Sequence, residues 1–481
     1  MNKVRLHQWL ARQRRFEILK HMIDRLSRRQ NSLLLFIIFA LVSAPSSAQS
    51  RPDAIPAEPT REQLLNGLTV LYLHRPSDTN VLLRLRIHSG AAFDLADKGG
   101  MMALLGDALF PDPATTEYFS EQLNGKLEVS TNYDAINVSI SGKASEFERI
   151  VDLLRSALVS TQLSAENVVK IRDFRLKQLN SQQSIATQAD EAVSKRLFGP
   201  FPYGHPVSGT PESVARIERA DLLLARERFL NADNADLVVE GPIDKARVMR
   251  TLHQLLGPWQ KSDRAIPATF RSAAPPDSRI LVLDRADAAR AEVRLAVRGL
   301  ARSDRDATTA SLLALIVRDR WAASLPSISS AFARHEANLL PGMLVIGGSV
   351  PTESAAKAIA AAEQVLQAVA QSGPTADEFQ RARQILLAES NRRLSTPESL
   401  ADLWLDEDAY NLPPVNTQLN SISSLSAADV QRVAARLFRD AAAKVVVGRL
   451  DQLTQSFQDN VEVLKNKVET KAPSSTPAKK P

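Results

Sequence analysis

One order of elements runs twice through the chain, the second time 209 residues after the first, counted from Gly90 to Gly299. In the first copy Leu68–His74 reads as a strand, Arg75–Asn80 as a turn and Val81–His88 as a second strand that ends at Gly90, followed by Asp94 and a helix around Lys98–Phe110. In the second, Ile280–Leu283, a turn through Asp287, Glu292–Val297, Gly299, Asp304 and a helix around Ala307–Arg318 keep that order. Val138–Ser141 and Leu344–Val350 are matching strands, each followed by a helix start, near Ser145-Glu146 and Thr352-Glu353. Leu163-Ser164-Ala165-Glu166 and Pro374-Thr375-Ala376-Asp377-Glu378 each set a capping hydroxyl ahead of an acid and open a long charged helix. Both copies close on an apolar strand with Gly and then Asp, in Leu237–Asp244 and Val445–Asp451. Agreement at the start, the middle and the end identifies a tandem duplication.

A chain of 481 residues exceeds what one core serves, about 250–300 residues, so each copy is read as a domain, 51–260 and 279–457. Between them 261–278 (KSDRAIPATFRSAAPPDS) is rich in Pro, Ala and Ser and reads as a linker. Residues 458–481 are polar and Lys/Pro-rich and read as a disordered tail. In Val81–His88, Val81, Leu83, Leu85 and Ile87 alternate with Leu82, Arg84, Arg86 and His88, the pattern of a half-buried antiparallel strand. The fold class expected is α+β: two homologous domains, each an antiparallel or mixed sheet with helices packed on one face. His88, on the polar face, is expected to be a solvated strand residue rather than a ligand.

Cysteine is absent, which excludes disulfides, thiolate metal sites and a Cys nucleophile and leaves His, Asp and Glu as the metal donors. Residues 1–48 read as a signal peptide: nine basic residues, from Lys3 to Arg29, against Glu17 and Asp24, then the apolar run Ser32–Ala44 and the small-residue site Ser46-Ser47-Ala48. The run falls short of the ~20 apolar residues of a membrane span, so cleavage is expected, no span remains afterwards, and the mature chain is expected in the periplasm or secreted; Met1 and Met22 are both possible starts. That leader holds a net +7, so of the chain's +6 the remainder carries about −1, and the pI near 9.5 supports no nucleic-acid partner. The seven His include no His-x-His or His-x₃-His pair, and there is no Gly-x-Ser-x-Gly elbow, phosphate loop or Rossmann fingerprint. Gly99-Gly100 at a helix entry is read as packing rather than as an anion site.

Asn66-Gly67-Leu68, Gly90, Asp94, Lys98-Gly99-Gly100 entering a helix that ends Leu109-Phe110, Phe201-Pro202-Tyr203-Gly204-His205-Pro206 with Gly209, and the strand in Asn234–Asp244 together resemble the insulinase/pitrilysin family of zinc metallopeptidases, over nearly the whole chain after the leader. The resemblance implies a His-x-x-Glu-His motif in the helix after Gly100, its two imidazoles one turn apart on Zn²⁺ and its Glu taking the proton of the metal-bound water. Here the five places are Ala103-Leu104-Leu105-Gly106-Asp107. Ala103 and Asp107 stand at the ligand places and Gly106 at the base; a methyl group cannot donate to zinc and a glycine cannot move a proton. The family's third ligand, a Glu upstream of the Pro-Tyr-Gly segment, maps near Lys177, whose charge would repel a cation. An Arg and a Tyr seven residues apart, which the resemblance places in the second domain, are also missing: seven residues after Arg318 and Arg320 stand Leu325 and Ser327, and no Tyr lies between Tyr203 and Tyr410.

No catalytic residue, no metal ligand and no cofactor are therefore expected in this chain. The function expected is that of a non-catalytic homologue, partner subunit or peptide-binding half of a periplasmic protease, closing against a homologous catalytic insulinase-like subunit or against a copy of itself around peptides. Two alternatives stand beside it: a zinc-dependent endopeptidase with unrecognised ligands, and a structural scaffold subunit.

Overall fold

The computed structural model describes residues 58–160, 163–181, 183–262, 270–271, 273–453, 457 and 461–464. The expected leader, part of the central linker (263–269 and 272) and 465–481 lie outside the described residues.

In the first half the elements run β1 (Thr60–Gln63), β2 (Thr69–His74), β3 (Asn80–Ile87), α1 (Met101–Asp107), α2 (Pro113–Glu121), β4 (Lys126–Thr131), β5 (Ile136–Lys143), α3 (Phe147–Val159), α4 (Ala165–Leu179), α5 (Ile185–Phe198), α6 (Pro211–Ala215), α7 (Arg219–Phe229), β6 (Ala235–Gly241) and α8 (Lys245–Leu256). The second half follows with β7 (Ile280–Asp284), β8 (Ala291–Arg298), α9 (Ala307–Ser324), β9 (Ser329–Glu336), β10 (Met343–Val350), α10 (Ala355–Ser372), α11 (Ala376–Arg393), α12 (Pro397–Tyr410), α13 (Val415–Ser424), α14 (Ala427–Leu437), β11 (Ala443–Gly448), α15 (Leu450–Leu453) and β12 (Val461–Leu464). Local chemistry sets several starts: the Ser164 hydroxyl accepts from Asn167 N at 3.1 Å and opens α4, and Thr375 with Glu378 forms the capping box of α11.

Each half builds one six-stranded mixed sheet, ordered β1-β2-β6-β3-β5-β4 and β12-β7-β11-β8-β10-β9. β6 inserts between β2 and β3, parallel to the first and antiparallel to the second; β11 does the same between β7 and β8. The duplication thus repeats in topology. At the equivalent outer edges the halves differ: antiparallel β1 covers β2, whereas parallel β12 covers β7. The expected tail at 458–481 is corrected there, since the alternating Val461-Glu462-Val463-Leu464 joins the sheet and the Glu462 carboxylate meets Arg196 Nη1 at 2.5 Å.

Helices of each half fill one face of its own sheet. Val81, Leu83, Leu85 and Ile87 of β3 enter the first core with Phe119, Phe147 and Ile150, and Val293, Leu295 and Val297 of β8 enter the second with Trp321 and Leu344. The opposite faces are covered too, each by a helix from the other half. Leu400, Ala401 and Trp404 of α12 pack on Leu71, Leu82 and Val238, and Ala189, Val193 and Leu197 of α5 pack on Ala296, Val345 and Val445. Burying each Leu or Val side chain among these contributes about 1.5–3 kcal/mol, so the exchange joins the halves through apolar area as well as through charge.

That exchange corrects the reading of β3's polar face. Arg84 and Arg86 do not face solvent; they pair with Asp402 and Asp406 of α12. His88 is half-buried, its Nε2 2.8 Å from Asp236 Oδ2, because β6 sets Asp236 in register with Arg86 beside it. The helix expected around Lys98–Phe110 is shorter at both ends. Gly100, at φ 92°, is left-handed and starts α1 at Met101, and Leu109 N turns back to Gly106 O at 3.1 Å and closes it.

Candidate cleft between the two sheet edges

β4 and β9, the edges of the two sheets that carry no further strand among the described residues, border one cleft of about 470 Å³. Val129, Ser130, Thr131 and Tyr133 come from the β4 side and Arg334 and Glu336 from β9; α1 contributes Ala103 and Asp107, α4 Arg175, and α5 Asp190, Glu191 and Ser194, with His205–Ser208 closing one wall.

The residues singled out by the family resemblance hold α1 against this wall. Asp94 Oδ2 accepts from Gly100 N and its Oδ1 from Met102 N, both at 2.7 Å, and His205 Nε2 lies 3.2 Å from Oδ2. Gly100 could carry no side chain here, since a Cβ would sit 2.7 Å from Ser208 O.

Along α1, Ala103 is buried and apolar. A Cβ on Gly106 would come within 2.8 Å of Thr131 Oγ1, so β4 packs where a general base would begin. Asp107 Oδ2 is taken by Arg175 Nη2 at 2.5 Å. Burial pushes the Asp107 carboxyl up, against the pull of Arg175. These residues do not fit a zinc ion: one carboxylate, already bound to a guanidinium, is the donor set at the motif. Among the described residues no group of three or more His, Cys, Asp and Glu is placed to hold a metal.

The structure moves the cation of this site from Lys177 to Arg175. Lys177 is exposed and does not line the cleft. Two residues turn an α-helix by about 200°, so the two side chains leave α4 on opposite sides. Arg318 pairs with its neighbour Asp319, and Arg320 forms a bidentate pair with Glu378 at 2.7 and 2.8 Å on the helical side of the second half; neither lines the cleft.

Charge in the rest of the cleft is largely matched. Asp190 Oδ1 accepts from Arg294 Nε at 2.5 Å, Arg334 pairs with Glu336 at 2.5 Å, and Arg294 and Arg334 lie over Phe332 with their guanidinium carbons 5.0 and 4.6 Å from its ring centre. At one end the β4–β5 turn is tied to the second half. Asp134 accepts from Tyr203 Oη and Tyr410 Oη at 3.1 Å each and from Leu339 N at 2.8 Å, and Leu340 N donates to Tyr203 Oη at 3.0 Å. A second, largely apolar hollow of about 350 Å³ adjoins Asp107 and Val129, lined by Phe110, Leu127, Ile171 and Phe174.

Sequence reasoning reached Ala103, Gly106 and Asp107 through the Gly100–Phe110 frame. It missed Arg175, Asp190, Arg294, Arg334 and Asp134, which come from five separate elements or turns. The one signal available was the density of charge on α4 and α5, which does not say which residue faces α1.

Residues 69–210 match the family described as Insulinase (Peptidase family M16), and 216–386 match its partner description, Peptidase M16 inactive domain. An uncharacterised zinc protease of Mycobacterium leprae is 25% identical over 257 residues, half of this chain and 56% of that protein, so the chain spans little more than half the length of this relative. A peptidase M16 inactive domain from Pseudomonas fluorescens superposes with a TM-score of 0.72 at 18% identity, covering 82% of this chain and 98% of that one. The periplasmic protease PqqL of Escherichia coli superposes at 0.68 with 15% identity, over 84% of this chain and 49% of PqqL.

Proposed function

Since the chain belongs to the insulinase, or M16, peptidase family, we propose that it is a non-catalytic member that forms the peptide-holding half of a two-part protease outside the cytoplasm, closing against a homologous catalytic chain. One observation carries the reading. The cleft keeps its walls and two strand edges that are unpaired among the described residues, while the motif positions lining it are Ala103 and Asp107, the latter bound to Arg175, and Gly106 beside them is packed against β4.

A free strand edge binds an extended peptide through backbone hydrogen bonds, and pockets beside it select alternate side chains. β4 offers such an edge, with Val129 and Leu127 on the side of the apolar hollow. Binding of that kind needs no metal. The superposition over half of PqqL supports pairing of two such chains, because a fold of this size supplies half of that longer chain. That PqqL is a periplasmic protease, together with the expected leader, supports a compartment outside the cytoplasm.

The experiment is co-expression with a catalytically intact homologue from the same genome, followed by size-exclusion chromatography and a peptidase assay. A 1:1 complex with more activity than the partner alone is expected. Separate elution and unchanged activity overturn the pairing. Stoichiometric zinc in the purified chain, with hydrolysis abolished by a chelator, overturns the non-catalytic reading itself.

A further inference from the structure

The disagreement between this site and a metal site has its own geometry. Asp107 lies on α1 and Arg175 on α4, and their contact at 2.5 Å crosses between two helices that both wall the cleft. Arg175 is mostly buried, with 19% of its side chain exposed, and its Nε is buried with no acceptor among the described residues. A guanidinium stays charged at every physiological pH and has no lone pair to give a metal.

We infer that the Arg175–Asp107 ion pair replaces the metal cross-link of this fold, holding α1 to α4 by fixed charges and closing the motif to divalent cations. Loss of ligands is then only part of the difference from a metal site. A cation entering beside Ala103 meets a guanidinium in the same wall, at short range and partly shielded from solvent, where like charges repel strongly. Asp107, the one donor left at the motif, has spent its charge on Arg175. The pair also does what a bound metal does for its ligand helices, since it fixes the spacing of two elements that are 68 residues apart in sequence.

Zinc uptake and thermal melting test this without any peptidase assay, so their failure leaves the peptide-holding role standing. The full chain carrying Ala103→His and Asp107→His, with Arg175 retained, is equilibrated with zinc, passed through gel filtration and measured by mass spectrometry of the metal. It is expected to hold far less than about one zinc per chain, and adding Arg175→Glu to the same pair is expected to bring it to about one. Stoichiometric zinc while Arg175 remains, or none in the folded triple variant, overturns the exclusion. Should the triple variant fail to fold, melting decides. Arg175→Gln in the otherwise unchanged chain is expected to lower Tm by about 2 °C or more, and the exchange Asp107→Arg with Arg175→Asp to recover most of it; no change in Tm for Arg175→Gln overturns the cross-link.

Discussion

Arg294 of β8 donates from Nε to Asp190 Oδ1 of α5 at 2.5 Å, across the seam between the two halves. Arg84 of β3, at the matching place in the first sheet, opposite Val238 of β6 as Arg294 is opposite Val445 of β11, donates from Nε to Asp402 Oδ1 of α12 at 3.1 Å. Each half therefore lends the other one helix and receives it with an arginine from a central strand. Their surroundings differ: the Arg294 side chain is 2% exposed and that of Arg84 17%.

That difference sets an order of stabilities. Arg294→Ala removes the buried guanidinium shared by Asp190, itself 35% exposed and still 3.6 Å from Arg334, and by the more buried Glu292, and is expected to cost about 2 kcal/mol. Arg84→Ala, where solvent reaches both partners, is expected to cost about 1 kcal/mol. Replacing Arg294 by Met together with Asp190→Leu should recover only the part of the larger loss that comes from Asp190, because Glu292 still loses its partner. Urea unfolding of the four proteins measures all three values.

Asp134 is the second clasp. Asp134→Ala leaves two tyrosine hydroxyls and Leu339 N without their acceptor and is expected to destabilise by about 2–4 kcal/mol. Asp134→Asn keeps one acceptor oxygen and should cost less than half as much. Hydrogen exchange is expected to show the loss at the β4–β5 turn and around Leu339 first.

Glu240 of β6 is 1% exposed and lies under α12, with Arg75 Nη1 3.4 Å from Oε2 and, among the described residues, no hydrogen-bond partner for Oε1. Burial raises its carboxyl to about 7, with Arg75 pulling it back and Asp78 and Glu398 pushing it further. A carboxyl with a raised folded-state pKa favours its neutral form in the fold. Stability is therefore lost as pH rises from about 4.5 to about 7 and is level above that. Glu240→Gln is expected to stabilise the protein by about 2–3 kcal/mol at pH 8 and to change little below pH 4.5, in melts taken across that range.

His335 of β9 acts in the opposite direction. Its Nε2 accepts from Leu300 N at 3.0 Å, and burial, with Arg302 adding to it, lowers the ring to about 4. Above the ordinary histidine value of 6.5 both states are neutral. As pH falls from 6.5 to about 4 the unfolded chain takes up the proton first, so stability drops through that window and is level below it. His335→Gln keeps an acceptor for Leu300 N and is expected to flatten this limb of the stability profile while leaving the limb near pH 8 unchanged.

By itself the sequence determined everything that depends on order and local phase. The duplicated unit, the capped helices at Ser164 and Thr375, the core face of β3 and the identities at 103, 106 and 107 follow from periodicity within an element and from glycines such as Gly100 that only one backbone shape accepts. The tertiary structure decided which groups meet. Alternation along β3 marks Arg84, Arg86 and His88 as one face, but not that a helix more than 300 residues later covers it. The composition of 458–481 does not reveal that Val461–Leu464 completes a sheet edge. Lys177 and Arg175 differ by two positions on one helix, and only the packing of α4 against α1 turns Arg175 to Asp107 and Lys177 to solvent. The physical reason is range: backbone propensity and side-chain period act over a few residues, whereas an ion pair or a covered sheet face is set by where distant segments come to rest, and no local pattern encodes that distance.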